Sequence, residues 1–185
     1  MEGGEWRVES PEAVRAIRRL VLLFAILAIG LSARAANAPA VQKMLPAKGD
    51  VAGFDILKDS LIYGKGPGLA DIYDGGYETY TKAGVIDAAK QMYQRGSDYV
   101  EVVVHTMKSE KAALDFVKYW AKDRGGKPVA SKNGTGFVVK KPNTMAYYAM
   151  GKYFVTVAGF HAPEKAAKDV EAFLDVVKKK IGKGK

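Results

Sequence analysis

The stretch Leu69-Ala70-Asp71-Ile72-Tyr73-Asp74-Gly75-Gly76-Tyr77-Glu78-Thr79-Tyr80-Thr81-Lys82-Ala83-Gly84 decides how the rest of the chain is read. At helical spacing Leu69, Ile72, Tyr73, Gly76, Tyr77, Tyr80 and Ala83 form one apolar and aromatic stripe, and Gly84 stands where a C-terminal cap belongs. The spacing predicts a core helix over residues 69–83. Gly75 and Gly76 fall in its middle, where each costs about 0.5–1 kcal/mol relative to alanine. Close approach of another backbone, a local break, or a ligand against bare main chain would offset that cost. Packing of Gly76 on the sheet is the reading adopted. Asp71, Asp74 and Glu78 fall along one line of the same helix. A hard cation such as calcium takes about six or more oxygen ligands, several of them from a loop, so the row is read as a solvated, dipole-compensating edge and no metal site is expected.

Tyr73-Asp74-Gly75-Gly76-Tyr77-Glu78-Thr79-Tyr80, followed by Gly84-Val85, resembles the signature helix of an uncharacterised family of secreted bacterial proteins. That family is a domain of unknown function, and its usual wording is Tyr-Ile-Asn-Gly-Gly-Ala-Glu-Leu-Tyr before a Tyr-Gly-Phe. Val100-Glu101-Val102 ahead of Ser109-Glu110-Lys111-Ala112-Ala113 is similar to its strand and helix, and Gly151-Lys152-Tyr153-Phe154-Val155 to its late hairpin. Asp74 replaces the usual asparagine, and no aromatic follows Gly84. The resemblance implies secretion and brings no established activity.

The N-terminus fits export. Arg15, Arg18 and Arg19 precede an apolar run over residues 20–31, and Ala33-Arg34-Ala35 offers the small residues that a signal peptidase reads. A run of that length spans about 18 Å, short of the roughly 30 Å hydrocarbon core, so no stable membrane span is expected after cleavage near Ala35. The absence of cysteine excludes disulfides, a lipid-modified cysteine, c-type haem and thiolate metal sites. Losing residues 1–35 removes five Arg and four Glu, so the formal charge falls only from +9 to +8. A basic exported protein meets anionic lipid or acidic polymers rather than nucleic acid, and no nucleic-acid partner is expected.

Residues 36–58, rich in Ala, Pro, Gly and Lys, read as an extended lead-in without assigned elements, and residues 59–182 as one domain before a basic tail, 183–185. Ser60-Leu61-Ile62-Tyr63 reads as a short strand. The loop Gly64-Lys65-Gly66-Pro67-Gly68 lacks phosphate-loop spacing. Residues 85–94 and 98–107 flank a turn at Arg95-Gly96-Ser97 and read as a hairpin, although the first arm, with Asp87-Ala88-Ala89-Lys90, is also compatible with a helix. In the second arm Val100, Val102 and Val104 face one way, and Tyr99, Glu101, Val103 and His105 the other. Ser109 caps a helix carrying Ala113, Phe116, Val117 and Trp120 as its core face, ended by Gly125-Gly126 and expected on the valine face of the hairpin. Four short strands fill residues 129–160, and a turn at Gly151-Lys152 would set Tyr148 opposite Val155 and Ala146 opposite Val157. Pro163 opens the last helix, whose apolar positions are Val170, Phe173, Leu174, Val177 and Ile181. The expected class is α+β: a single domain with a mainly antiparallel sheet of six to seven strands and three packed helices. That order also resembles the sheet-and-helix sandwich of PsbP-like extrinsic proteins, a likeness of fold only.

Catalytic resources are sparse. Of the two histidines, His105 lies about 13 Å along its strand from Glu101, and His161 reads as a strand-end residue with its ring partly in water. No serine stands in a nucleophile elbow. Two functions follow. The first is a non-catalytic binding module of the cell envelope, without cofactor, that engages an envelope protein, polymer or small ligand through Tyr73, Asp74, Gly75, Gly76, Tyr77 and Glu78. The second is a hydrolase using Asp74 and Glu78, one helical turn apart, as acid and base. Burial of Glu78 discriminates between them.

Overall fold

The computed structural model describes residues 38–73 and 75–184. The expected leader, its cleavage site and Asp74 lie outside the described residues. In chain order the elements are α1 (Ala40–Lys43), β1 (Asp55–Ile56), β2 (Ile62–Lys65), a 3-10 helix (Gly66–Asp71), α2 (Tyr77–Ala83), β3 (Val85–Arg95), β4 (Asp98–Met107), α3 (Glu110–Arg124), β5 (Val129–Ser131), β6 (Gly134–Val139), β7 (Thr144–Met150), β8 (Tyr153–Gly159) and α4 (Pro163–Lys183). The strands form one eight-stranded sheet in the order β1-β3-β4-β8-β7-β6-β5, with β2 also paired to β3. Every pairing is antiparallel. This is the α+β class expected.

Residues 85–95 are strand throughout, which resolves the ambiguity of the first hairpin arm. The turn at Gly151, with φ +53°, sets Tyr148 opposite Val155 and Ala146 opposite Val157, as the sequence predicts. Both faces of the sheet are covered, so alternation along β4 divides its side chains between two cores. Val100, Val102 and Val104 pack with Phe173, Val177 and Ile181 of α4. Val103 and Met107 pack with Phe116 and Val117 of α3. The helix capped by Ser109 therefore lies on the face opposite the one expected. Both faces of this central strand are covered, and its polar residues Glu101 and His105 lie on the face that α3 covers, so polarity along the strand does not tell which helix covers which.

Residues 36–58, expected as an extended lead-in, contain α1 and β1 and contribute Val41, Leu45, Val51 and Phe54 to the α4 core. The Tyr93 hydroxyl donates to the Pro46 carbonyl at 2.8 Å and ties this segment to β3. Its glycines and prolines shape turns rather than a free linker. The expected strand at residues 60–63 is shifted to Ile62–Lys65. Gly64 comes against the Gly68 carbonyl so closely that a Cβ would stand 2.3 Å from it, which explains a glycine within this strand.

The largest departure is in the opening stretch, which is two short helices with a break between them. Gly75 and Gly76 have φ of +80° and +73°, and Gly84 ends α2 at +97°. Two successive left-handed residues cannot continue a right-handed helix, so of the three possible reasons for the glycine pair the local break is realised. A Cβ on Gly75 or Gly76 would meet nothing within 4 Å, so packing of Gly76 against the sheet is excluded. The single line of carboxylates through Asp71 and Glu78 disappears with the continuous helix.

Candidate functional site

The glycine turn is held by two polar anchors that rise from the sheet. The His105 ring is fully buried, and its Nδ1 lies 2.8 Å from the Phe154 carbonyl. A carbonyl only accepts, so Nδ1 carries the proton and Nε2 is left as an acceptor. The Tyr73 hydroxyl donates to that Nε2. Burial without a counter-charge pushes the His105 pKa down to about 4 and that of Tyr73 well above the ordinary tyrosine range. The histidine is therefore neutral at pH 7. Lys90 of β3 forms the second anchor. Its Nζ donates to the Ile72 carbonyl at 3.1 Å and lies 3.9 Å from Glu101, whose pKa burial raises and Lys90 partly restores.

Above these anchors the aromatic side chains interlock. Tyr73 and Tyr80 stack at 3.7 Å, and Tyr80 meets the edge of Phe116 at 5.3 Å. Trp120 stacks on Tyr147 at 5.7 Å, with the Arg124 guanidinium 5.3 Å from its ring centroid. Between the glycine turn and the C-terminal half of α3 a cleft of about 470 Å³ is left. Tyr73, Gly75 and Gly76 line one side, and Tyr119, Trp120 and the ion-paired Asp123 and Arg124 the other. The Trp120 indole N–H is buried without an acceptor among the described residues. Tyr119 is 49 % exposed. The absent Cβ atoms of the turn leave main chain open to whatever enters.

Of the residues singled out from sequence, Tyr73, Gly75 and Gly76 line the cleft. Tyr77 is half-buried and packs toward the α3 core instead. Glu78 is exposed, and the break removes the helical register on which an Asp74–Glu78 pair depended. Sequence reading missed Tyr119 and Arg124, which join the site only because α3 crosses the turn. It also missed the role of His105. Its signal was a lone histidine on an otherwise apolar strand, where a buried ring must find partners.

A second polar cluster closes α4 onto the β3–β4 hairpin. Arg95 Nη1 and Nη2 grip both carboxylate oxygens of Asp169, and Nη2 also meets Asp98 at 3.2 Å. Lys165 pairs with Asp98, and His161 Nε2 lies 2.8 Å from Asp169. The His161 side chain is only 6 % exposed, which corrects the expectation of a ring partly in water. Asp98, His161 and Asp169 offer metal-ligand atoms within 4.8 Å of one another. Arg95 and Lys165 already neutralise the two carboxylates, and an ion would have to displace both. The cluster is a structural ion-pair network.

No known protein family and no curated protein matches the sequence. Among solved structures, the extracellular domain of PknH from Mycobacterium tuberculosis aligns with 14 % identity and a TM-score of 0.45, covering 75 % of this chain and 95 % of that domain. A likeness at that level carries no argument about ligand, partner or location. Among the described residues no helix is long and apolar enough to cross a membrane.

Proposed function

We propose that the protein is an exported, non-catalytic binding module of the cell envelope, released after cleavage near Ala35, which takes a small ring-bearing ligand into the cleft between the Gly75–Gly76 turn and α3. The same reading places it in the family of secreted domains that its glycine-tyrosine motif resembles. One observation carries the binding function: open main chain at two left-handed glycines faces an aromatic wall of Tyr119 and Trp120 edged by the Asp123–Arg124 ion pair. Rings stack on such a wall, and the guanidinium and main-chain groups fix a polar substituent. The groups beneath do not suit catalysis. His105 is buried with both nitrogens engaged, and the Tyr73 proton is committed to it. The hydrolase alternative is weakened by the exposure of Glu78.

The chain has two tryptophans, and only Trp120 is left once residues 1–35 are removed. Its fluorescence is therefore a single signal from the cleft wall. Titration of the secreted protein with benzoate, a ring-bearing anion, and with an N-acetylhexosamine trisaccharide should change that fluorescence for at least one of them. Tyr119→Ala and Arg124→Ala remove exposed side chains and should weaken the response at least tenfold. Binding that survives both substitutions would remove the cleft from consideration. Mass spectrometry of the secreted chain tests the cleavage site, and retention of Met1 would contradict it.

A further inference from the structure

The sheet ends in a step at its β5 edge. β5 pairs with β6 only through Val129↔Gly136, Ala130↔Thr135 and Ser131↔Gly134, whereas β6 runs on to Val139, paired there with β7 alone. Main-chain hydrogen bonds alternate in an antiparallel ladder. The pair that closes the two-residue turn, Ser131↔Gly134, exchanges bonds across β5–β6, as does Val129↔Gly136 two residues on. Val138 is next in that set, so its N–H and C=O point away from β7 to a place where, among the described residues, no strand lies. The segment entering β5 does not fill it. The register places Lys127 opposite Val138, yet no main-chain bond joins the two among the described residues, and Gly126 has left the sheet plane to press on the Phe137 ring, where a Cβ would stand 2.2 Å from the ring.

The result is a groove of about 810 Å³ between residues 124–127 and the free edge of β6. It wraps the edge, with Phe137 and Tyr147 on the α3 side and Tyr148 and Leu174 on the α4 side. Val129 and Val138 are 69 % and 53 % exposed. Arg124, Lys127, Lys140 and Lys141 stand along it, and among the described residues no acidic one lines it. Among the described residues Lys127, Lys140 and Lys141 take part in no ion pair.

We propose that this groove receives an extended acidic segment of a partner polypeptide, which adds as a strand beside β6, distinct from the ligand of the aromatic cleft. The unpaired carbonyl of Val138 selects the class of occupant. It requires a donor, which a peptide main chain supplies on alternate residues and a phosphodiester or lipid headgroup phosphate does not. The unpaired lysines supply the charge preference. They also oppose a second copy at this edge, since self-pairing would set Lys127, Lys140 and Lys141 against the same lysines.

The probe is a fluorescein-labelled peptide of four Glu-Val repeats, followed by anisotropy with the whole secreted protein. The same peptide N-methylated at every main-chain amide has the same charge but no main-chain amide donor. The Glu-Val peptide should bind at least tenfold more tightly than its N-methylated form and should slow hydrogen exchange of the Val138 amide. The double substitution Lys140→Glu, Lys141→Glu lies on exposed side chains and should weaken binding at least tenfold with an unchanged melting temperature. Val138→Pro removes the outward N–H without breaking a β6–β7 bond and should have a similar effect. Equal binding of the two peptides, an unprotected Val138 amide, displacement by anionic phosphatidylglycerol vesicles, or no binding of the Glu-Val peptide would each overturn the proposal. Peptide binding that persists in Tyr119→Ala would show that the two grooves act separately, and its loss there would also count against it.

Discussion

The two faces of the sheet are built from one strand yet differ in chemistry. Even positions of β4 supply Val100, Val102 and Val104 to a core closed by Phe173, Val177 and Ile181. Odd positions of the same strand supply Glu101, Val103 and His105 to a face where a neutral buried histidine, a tyrosine hydroxyl and a lysine hold a glycine turn in place. On the α4 side the charged groups are gathered at the rim, in the Arg95–Asp169 network, and the buried Tyr93 hydroxyl is satisfied by the Pro46 carbonyl. On the α3 side polar groups lie inside the packing and support an open cleft. Apolar burial alone suffices where the task is stability, whereas a turn with two left-handed residues and a solvent-open side needs directional bonds to fix its position.

Truncation of one large aromatic on each face tests that contrast most strongly. Phe173 is fully buried against Phe54 and Tyr93, and Phe173→Ala should cost about 3–5 kcal/mol in urea denaturation. Trp120 is half-buried at the cleft wall, and Trp120→Ala should cost about 1–2 kcal/mol, in proportion to the apolar area it covers. Equal losses would mean that the cleft wall is as much a part of the core as α4.

Acid should act through the α3 face. The unfolded histidine takes up its proton near pH 6.5, while His105 in the fold resists until about pH 4. The unfolded state therefore binds more protons across that window, and stability falls as pH falls through it, with no further contribution below about pH 4. The His105 contribution amounts to about 3 kcal/mol over the full window. Glu101, whose folded pKa burial raises, gives an opposing slope in the carboxylate range. The difference between the parent and His105→Asn isolates the histidine, and parallel stability curves from pH 7 to pH 4 would contradict the buried neutral ring.

The smallest effect belongs to the turn. Gly76→Ala meets no steric obstacle but must hold a left-handed φ, so a loss of about 1 kcal/mol is expected. Gly76→Asn should lose less, because asparagine tolerates that conformation. Stabilisation by both changes would mean that the turn is not held as described.

The sequence by itself determined what depends on local periodicity and turn chemistry. The hairpin registers around Gly151, the caps at Ser109 and Gly125, the apolar stripe of α4 and the α+β class follow from patterns within a few residues, where sterics and main-chain hydrogen bonding leave few choices. Only the tertiary structure decided which helix covers which face of β4, because both faces are covered and the face that bears Glu101 and His105 is packed rather than solvated. It also decided that the glycine pair breaks a helix rather than packs one. An unbroken stripe of Leu69, Ile72, Tyr73, Tyr77 and Tyr80 is equally served by two short helices that turn the same side chains inward. The candidate site was half legible for the same reason. Tyr73, Gly75 and Gly76 belong to one local motif, while His105, Tyr119, Trp120 and Arg124 reach it from β4 and α3 only after the sheet has formed, and long-range placement leaves no mark at short sequence spacing.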